Sequence, residues 1–346
     1  MTVVEVPSGT QAWLGGRFRL DERISVSDHI GGPCATSWEA RGLSLWKATD
    51  QLLSRPVTIY LLPPGVPVPS AVVEAVQAAA KVCDARLATI YDTDFASDCP
   101  YVVSEWTPGT QLEDLVLSGL PAPALAAAMI ADAADALAIA QQAGRPHLRL
   151  TPRSLRWDNS SGLKITGLGL DAALCGPASD GAALDGSASD FLASDDAVSG
   201  GLAPGGPAPG GLASGGLADT RALARMLYAL LTGYWPGEDA TALPAAPRHK
   251  GQVCTPRQVR AGVPAILDVI TYRALSGQAP NAPARPLAPA GLAMALRGVQ
   301  RPSYQLVDPP EDVGSSRVPG RTRHPARHAR ARSGVLHRTS LLHPAA

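Results

Sequence analysis

His147-Leu-Arg-Leu-Thr-Pro-Arg-Ser154 and, a few residues on, Gly162-Leu-Lys-Ile-Thr-Gly-Leu-Gly169 decide how this chain is read. The first run is a proline-containing turn. The second opens a short strand pair and ends in a glycine-flanked turn. Working upstream, Arg17-Phe-Arg-Leu20, Ser44-Leu-Trp-Lys47 and Pro56-Val-Thr-Ile-Tyr-Leu-Leu62 alternate polar and apolar residues and predict antiparallel strands. Beyond the bend Pro63–Pro69, a helix capped by Ser70 is expected through about Cys83, with Val73, Val76, Ala80 and Val82 toward one face. Two more strands are expected near Leu87–Tyr91 and Tyr101–Trp106. Downstream the period becomes helical, over Pro123–Ala143, Asp219–Thr232, Pro264–Leu275 and Pro289–Arg297. A small sheet-rich lobe followed by a helical lobe is the expected α+β architecture.

Two segments depart from this pattern. Residues 176–218 are almost entirely Gly, Ala, Ser, Pro, Asp and Leu, too little side chain to offset chain entropy, and are expected to be disordered. From Gln300 the periodicity is lost again. After Asp312 no acidic residue follows, while Arg317, Arg321, Arg323, Arg327, Arg330, Arg332 and Arg338 do. This basic tail could touch acidic headgroups through charge alone. It lacks the interleaved aromatics that would stack on bases, so no specific nucleic-acid partner is expected.

The 346 residues, 45% hydrophobic, suffice for one two-lobed unit with tails, and a formal net charge of zero gives no whole-molecule field. The five cysteines, Cys34, Cys83, Cys99, Cys175 and Cys254, have no CxxC spacing and predict free thiols in a reducing, cytoplasmic compartment. There is no basic, apolar leader and no window of about 20 unbroken apolar residues. The apolar stretch Ala122–Ala143 carries Asp132, Asp135 and two glutamines and reads as an alanine-rich soluble helix.

The order of elements and several motifs resemble the protein-kinase family over about residues 16–298. Lys47-Ala-Thr-Asp50 with Arg55-Pro-Val-Thr-Ile-Tyr60 looks like the strand pair that ends in V-A-I-K. Ser104-Glu-Trp-Thr-Pro-Gly-Thr-Gln-Leu112 resembles the hinge between lobes. Asp219-Thr-Arg-Ala-Leu-Ala-Arg-Met-Leu-Tyr-Ala-Leu-Leu-Thr-Gly-Tyr-Trp-Pro236 matches the helix that begins with an aspartate and runs into "LYELLTG". The nearest flavour is the degenerate Ser/Thr-kinase-like domains of actinobacteria, among them the pseudokinase associated with the lipid II flippase. The resemblance implies a bilobal protein-kinase-like fold: a leader (1–15), an antiparallel-sheet N-lobe (16–106), a helical C-lobe (107–298) interrupted by the insert 176–218, and a tail (299–346).

The resemblance also implies where chemistry has been lost. Phosphoryl transfer needs phosphates positioned, metal held and a hydroxyl proton accepted. Tyr60 stands at the phosphate-binding lysine and offers no positive charge. Arg149 stands at the catalytic aspartate and cannot accept a proton. Thr151 and Ser154 replace the loop's lysine and asparagine, and Gly167 replaces the metal-binding aspartate, removing a hard oxygen ligand. Gly31-Gly32-Pro33 is the sole glycine pair where a spaced glycine loop belongs. Glu74, if it holds the family's glutamate position, has lost its ion-pair partner. His147 is expected to pack or cap. Asp219 is expected either to cap its helix or to hold the catalytic-loop backbone.

The expected function is therefore a catalytically inactive, kinase-like regulatory or scaffold protein binding protein partners, with no cofactor and no metal site. Two alternatives follow from the same residues. One is an atypical Ser/Thr kinase using Asp158 or Asp171 for metal, although displacement from the family position should spoil its geometry. The other is metal-independent ATP binding, with Arg149 supplying charge and the hinge at Glu105 and Trp106 recognising adenine.

Overall fold

A computed structural model describes residues 12–27, 29–30, 32–65, 67–176, 209–239, 241–276 and 287–299, without the side chains of 32–35 and 209–214. Residues 1–11, most of the insert and the tail from Gln300 lie outside the described residues. The N-terminal half carries β1 (Ala12–Leu14), β2 (Phe18–Ile24), α1 (Gly32–Ala40), β3 (Ser44–Asp50), β4 (Arg55–Leu61), α2 (Ser70–Ala79), β5 (Ile90–Asp94) and β6 (Tyr101–Glu105). The C-terminal half carries β7 (Thr110–Gln111), α3 (Leu112–Ser118), α4 (Pro123–Gln142), β8 (Leu155–Asp158), β9 (Gly162–Ile165), α5 (Leu170–Cys175) and α6 (Pro209–Thr232). It ends with β10 (Arg248–His249), β11 (Gln252–Val253), α7 (Pro256–Val259), α8 (Ala265–Ser276) and α9 (Pro289–Arg297).

The six N-terminal strands form one antiparallel sheet in the order β1-β2-β3-β4-β6-β5. Alternation places Leu45, Tyr60 and Val102 on the face that packs under Val72 and Val76 of α2. Ala48, Val57, Ile59, Tyr101 and Val103 take the other face, with Phe18. Both faces of β4 are thus covered, which is why Val57, Thr58, Ile59 and Tyr60 are all buried.

The C-terminal half is built around α4. Eleven of its residues are buried, mostly alanines, so α6 and α9 approach it closely. By length and composition α4 could cross a membrane, yet 61% of its apolar window is buried among neighbouring helices. It is a buried helix of the C-terminal half.

Several expectations are corrected. Ala12–Leu14 pairs with β2, so the leader is shorter than residues 1–15. The α2 helix ends at Ala79, and Ser70 is its first helical residue; the N-cap is Pro69, with no side-chain cap bond. Its buried face is Val72, Val76 and Ala79, spaced i, i+4, i+7, whereas Ala80 is exposed. Glu74 is exposed on the opposite side and has no structural role in the core. Helix α6 begins at Pro209, ten residues before Asp219, so part of the expected disordered insert is helical. Two of its glycines lie closely against side chains of the preceding segment. A Cβ on Gly215 would meet Pro146, and one on Gly216 would meet the Gln141 side chain. Finally, Cys175 is disulfide-bonded, against the expectation of five free thiols, while Cys83, Cys99 and Cys254 are free.

Candidate functional site: a filled cleft between the lobes

The turn that opens the C-terminal half's polar centre is anchored by Asp219. Its carboxylate accepts the backbone N–H of His147 and of Leu148, each at 2.7 Å, and is 1% exposed. These bonds hold Leu148 at φ +65°, a left-handed conformation that costs a non-glycine residue about 1–2 kcal/mol. Asp219 therefore holds the loop backbone from inside α6 and does not cap the helix. His147 is fully buried and donates from Nε2 to the Thr166 carbonyl at 2.8 Å. Burial pushes its pKa down to about 4, so it is a neutral packed residue. Ser154, fully buried, shares a hydrogen bond with the Thr151 hydroxyl and accepts the Thr151 N–H, closing the turn on itself.

Around this turn, the space between the lobes is occupied by the chain's own side chains. After β2 the backbone descends, and Val26 and Ile30 are fully buried in one cluster with Leu45, Tyr60, Val102, Leu170 and Leu174. His29 follows them and shares a 2.8 Å hydrogen bond with the Tyr60 hydroxyl. Burial, then Arg156, depress His29 to about 3, and burial raises the Tyr60 phenol well above its ordinary value. Both are neutral at physiological pH. The Arg153 guanidinium donates to the Ser27 carbonyl and, at 2.7 Å, to the buried carboxylate of Glu113 on α3. It fastens the loop after β2 down onto the turn.

The hinge side is similarly engaged. The Glu105 N–H is taken by the Thr89 carbonyl at 2.8 Å, its carbonyl accepts the Thr58 hydroxyl, and its carboxylate pairs with Lys164. Trp106 lies under the Lys47 ammonium, 4.9 Å from ring centroid to nitrogen. Arg156 reaches the Gly109 carbonyl at 3.1 Å, and burial lowers its pKa. Two surface hollows of about 280 and 430 Å³ lie elsewhere, the first between α4 and α9, the second between the end of α2 and β5.

The carboxylates behave differently from expectation. Asp158 accepts hydrogen bonds from Ser160 and Ser161, which hold its pKa down to about 2, and it serves the β8–β9 turn. Asp171 is fully buried, neither oxygen has a hydrogen-bond partner among the described residues, and burial raises its pKa well above the carboxylate range, with Arg149 opposing. One helical turn carries it back over Gly167: a Cβ on Gly167 would fall on the Asp171 carboxyl. Displacement along the sequence has therefore not moved the carboxyl far in space; burial is what separates it from solvent. Among the described residues, no three His, Cys, Asp or Glu side chains converge. Among the described residues Arg149 donates long bonds, 3.3 and 3.5 Å, to the carbonyls of Gly176 and Cys175.

Because Gly167 has φ +83° and no room for a methyl group, Gly167→Ala is expected to lower unfolding stability by about 2–4 kcal/mol in urea denaturation. A large part of that loss should be recovered in an Asp171→Ala background; equal losses in both backgrounds would refute the overlap.

An antiparallel-sheet lobe with one helix packed on it, followed by a helical lobe whose 147–154 turn is held by a helix aspartate, is the arrangement of the protein-kinase-like fold, and this chain has it. The kinase domain of PknI from Mycobacterium tuberculosis superposes with a TM-score of 0.53, at 16% identity, over 84% of this chain and 98% of that domain. A doubly substituted form of the same domain gives 0.53 at 17% identity, over 81% and 94%. No protein-family model and no curated protein matches the chain.

Proposed function

We propose that this chain is a catalytically inactive, kinase-like protein that works by binding protein partners. The observation carrying the proposal is the filled cleft: Val26, Ile30, Tyr60 and Asp171 are each 2% exposed or less where a kinase of this fold keeps nucleotide, and Arg153 clasps the loop above them. The residues standing at the family's base, phosphate clamp and metal ligand, Arg149, Tyr60 and Gly167, cannot perform those tasks, and the hinge N–H of Glu105 is already bonded.

A thermal-shift titration tests this. Nucleotide at about 100-fold above its Kd adds about 2.7 kcal/mol to a protein that binds it only when folded. We expect no shift with millimolar ATP, with or without magnesium. Stabilisation without magnesium would replace this proposal with metal-independent nucleotide binding.

One observation favours a second reading, an atypical Ser/Thr kinase: the Asp171 carboxyl does lie against Gly167. Against it stand the complete burial of that carboxyl and the positive charge at Arg149. Magnesium-dependent phosphate transfer abolished by Asp171→Ala would establish this second reading and overturn the first.

A further inference from the structure

The residues that fill the cleft belong by chain to the sheet lobe, yet a polar hold on them comes from the helical lobe. After β2, the Val26 carbonyl accepts the backbone N–H groups of His29 and Ile30, at 3.1 and 2.9 Å, and Val26 and Ile30 are fully buried. The next carbonyl, that of Ser27, accepts a guanidinium N–H of Arg153, from the turn that Asp219 anchors. A different nitrogen of the same guanidinium donates to the Glu113 carboxylate at 2.7 Å. The Glu113 side chain is 4% exposed, and its other oxygen accepts the Ala242 N–H. The segment around Ala242 is in turn stapled to the chain leaving α6. The Trp235 N–H donates to the Pro244 carbonyl and the Ala246 N–H to the Trp235 carbonyl, each at 2.8 Å. Leu243 and Trp235 are both buried in the core of the helical lobe, which fixes the anchor.

We propose that Val26, His29 and Ile30 form a gate over the cleft, an autoinhibitory contact of which Arg153 is the pin. The inference rests on the filled cleft and not on whether the chain transfers phosphate. Burial takes water from the Glu113 carboxylate, so its charge depends on the Arg153 guanidinium beside it. One planar fork thereby serves a carboxylate of the helical lobe and a carbonyl of the sheet lobe at the same time. Withdrawing the fork leaves Glu113 on its Ala242 bond and takes a donor from Ser27. The gate residues keep the His29–Tyr60 bond and their packing on Leu45, Val102 and Leu170, and lose the polar tie across the lobes. They then open more often than the helical core does, uncovering that apolar wall.

Hydrogen exchange of the His29 and Ile30 amides in the full chain, read by NMR as a ratio to the Leu137 amide of α4, tests the pin. The ratio separates local opening from global loss of stability, which speeds all three amides together. Arg153→Met keeps the aliphatic stem and removes the guanidinium, and is expected to raise the ratio about tenfold or more. It also strands a buried charge, so Arg153→Met combined with Glu113→Gln is the cleaner variant: no charge is left uncompensated, and the glutamine oxygen still accepts the Ala242 N–H. The double variant should regain most of the stability lost by Arg153→Met while keeping the raised ratio. A ratio equal to that of the unaltered chain in the double variant would overturn the proposal, since packing alone would then hold the gate. If neither variant folds, Glu113→Gln alone decides. It weakens the bond that aims the guanidinium, and a rise of about threefold is expected where an unchanged ratio would refute the pin. A failed exchange test leaves the nucleotide titration untouched, and a nucleotide shift would leave the exchange result standing.

Discussion

Asp219→Asn is expected to cost about 3 kcal/mol of stability or more, the largest loss from any isosteric change in the molecule. The carboxylate accepts two main-chain N–H groups at 2.7 Å in a site that is 1% exposed. Hydrogen bonds to a charged acceptor contribute about 1.5–3 kcal/mol each, and an amide must turn its NH2 toward one of the two donors, leaving a buried N–H unpaired. The conformation of Leu148 at φ +65° then loses the contact that imposes it. The denaturation midpoint measures the loss. Asp98→Asn, on an exposed turn, is the control expected to leave it unchanged within about 0.5 kcal/mol. A difference of less than about 1 kcal/mol between the two variants would mean that the turn does not depend on Asp219.

The role of Asp219 was legible only through the resemblance of residues 219–236 to the kinase helix that begins with an aspartate, whereas the strands around Ile59 and Val102 were readable from their alternation. Helix α1 was not, because Gly32-Pro33 reads as a turn and the following residues carry no amphipathic period. The first ten residues of α6 were misread for a related reason. Glycine and alanine signal disorder in isolation, whereas here Gly215 and Gly216 admit Pro146 and Gln141 at contact distance. Two features of the cleft had signals that alternation and helical spacing could have supplied. Val26 and Ile30 continue the apolar spacing of β2 beyond its end. Gly167 and Asp171 are four apart, so a helical turn brings them together. Arg156 had no such signal, because a partly buried cation whose protein partner is one carbonyl is set by tertiary packing alone.

The burial of ionisable groups in the cleft gives the stability a distinctive dependence on pH, and Asp171→Asn separates its two arms. His147 and His29, depressed to about 4 and about 3, bind fewer protons folded than unfolded. Their contribution is intact above the unfolded value near 6.5. It is lost as pH falls toward 4 and then 3, by about 3 kcal/mol for His147 and somewhat more for His29. Asp171 works with the opposite sign. Its folded pKa lies above the unfolded one, so the folded state binds the extra proton, and stability declines as pH rises from about 4 to that raised value. Together they give a maximum on the acid side of neutrality. In Asp171→Asn the decline on the alkaline side, about 1.4 kcal/mol per pH unit in the unaltered chain, should disappear, because the folded state no longer has to keep a proton that the unfolded state releases. The fall below pH 6.5 should become steeper than in the unaltered chain, since the histidine term is then no longer opposed by Asp171. Denaturation midpoints at unit steps from pH 4 to 9 provide the measurement. A variant whose profile parallels the unaltered chain on the alkaline side would show that the Asp171 carboxyl is solvated, and the filled cleft would lose its main electrostatic support.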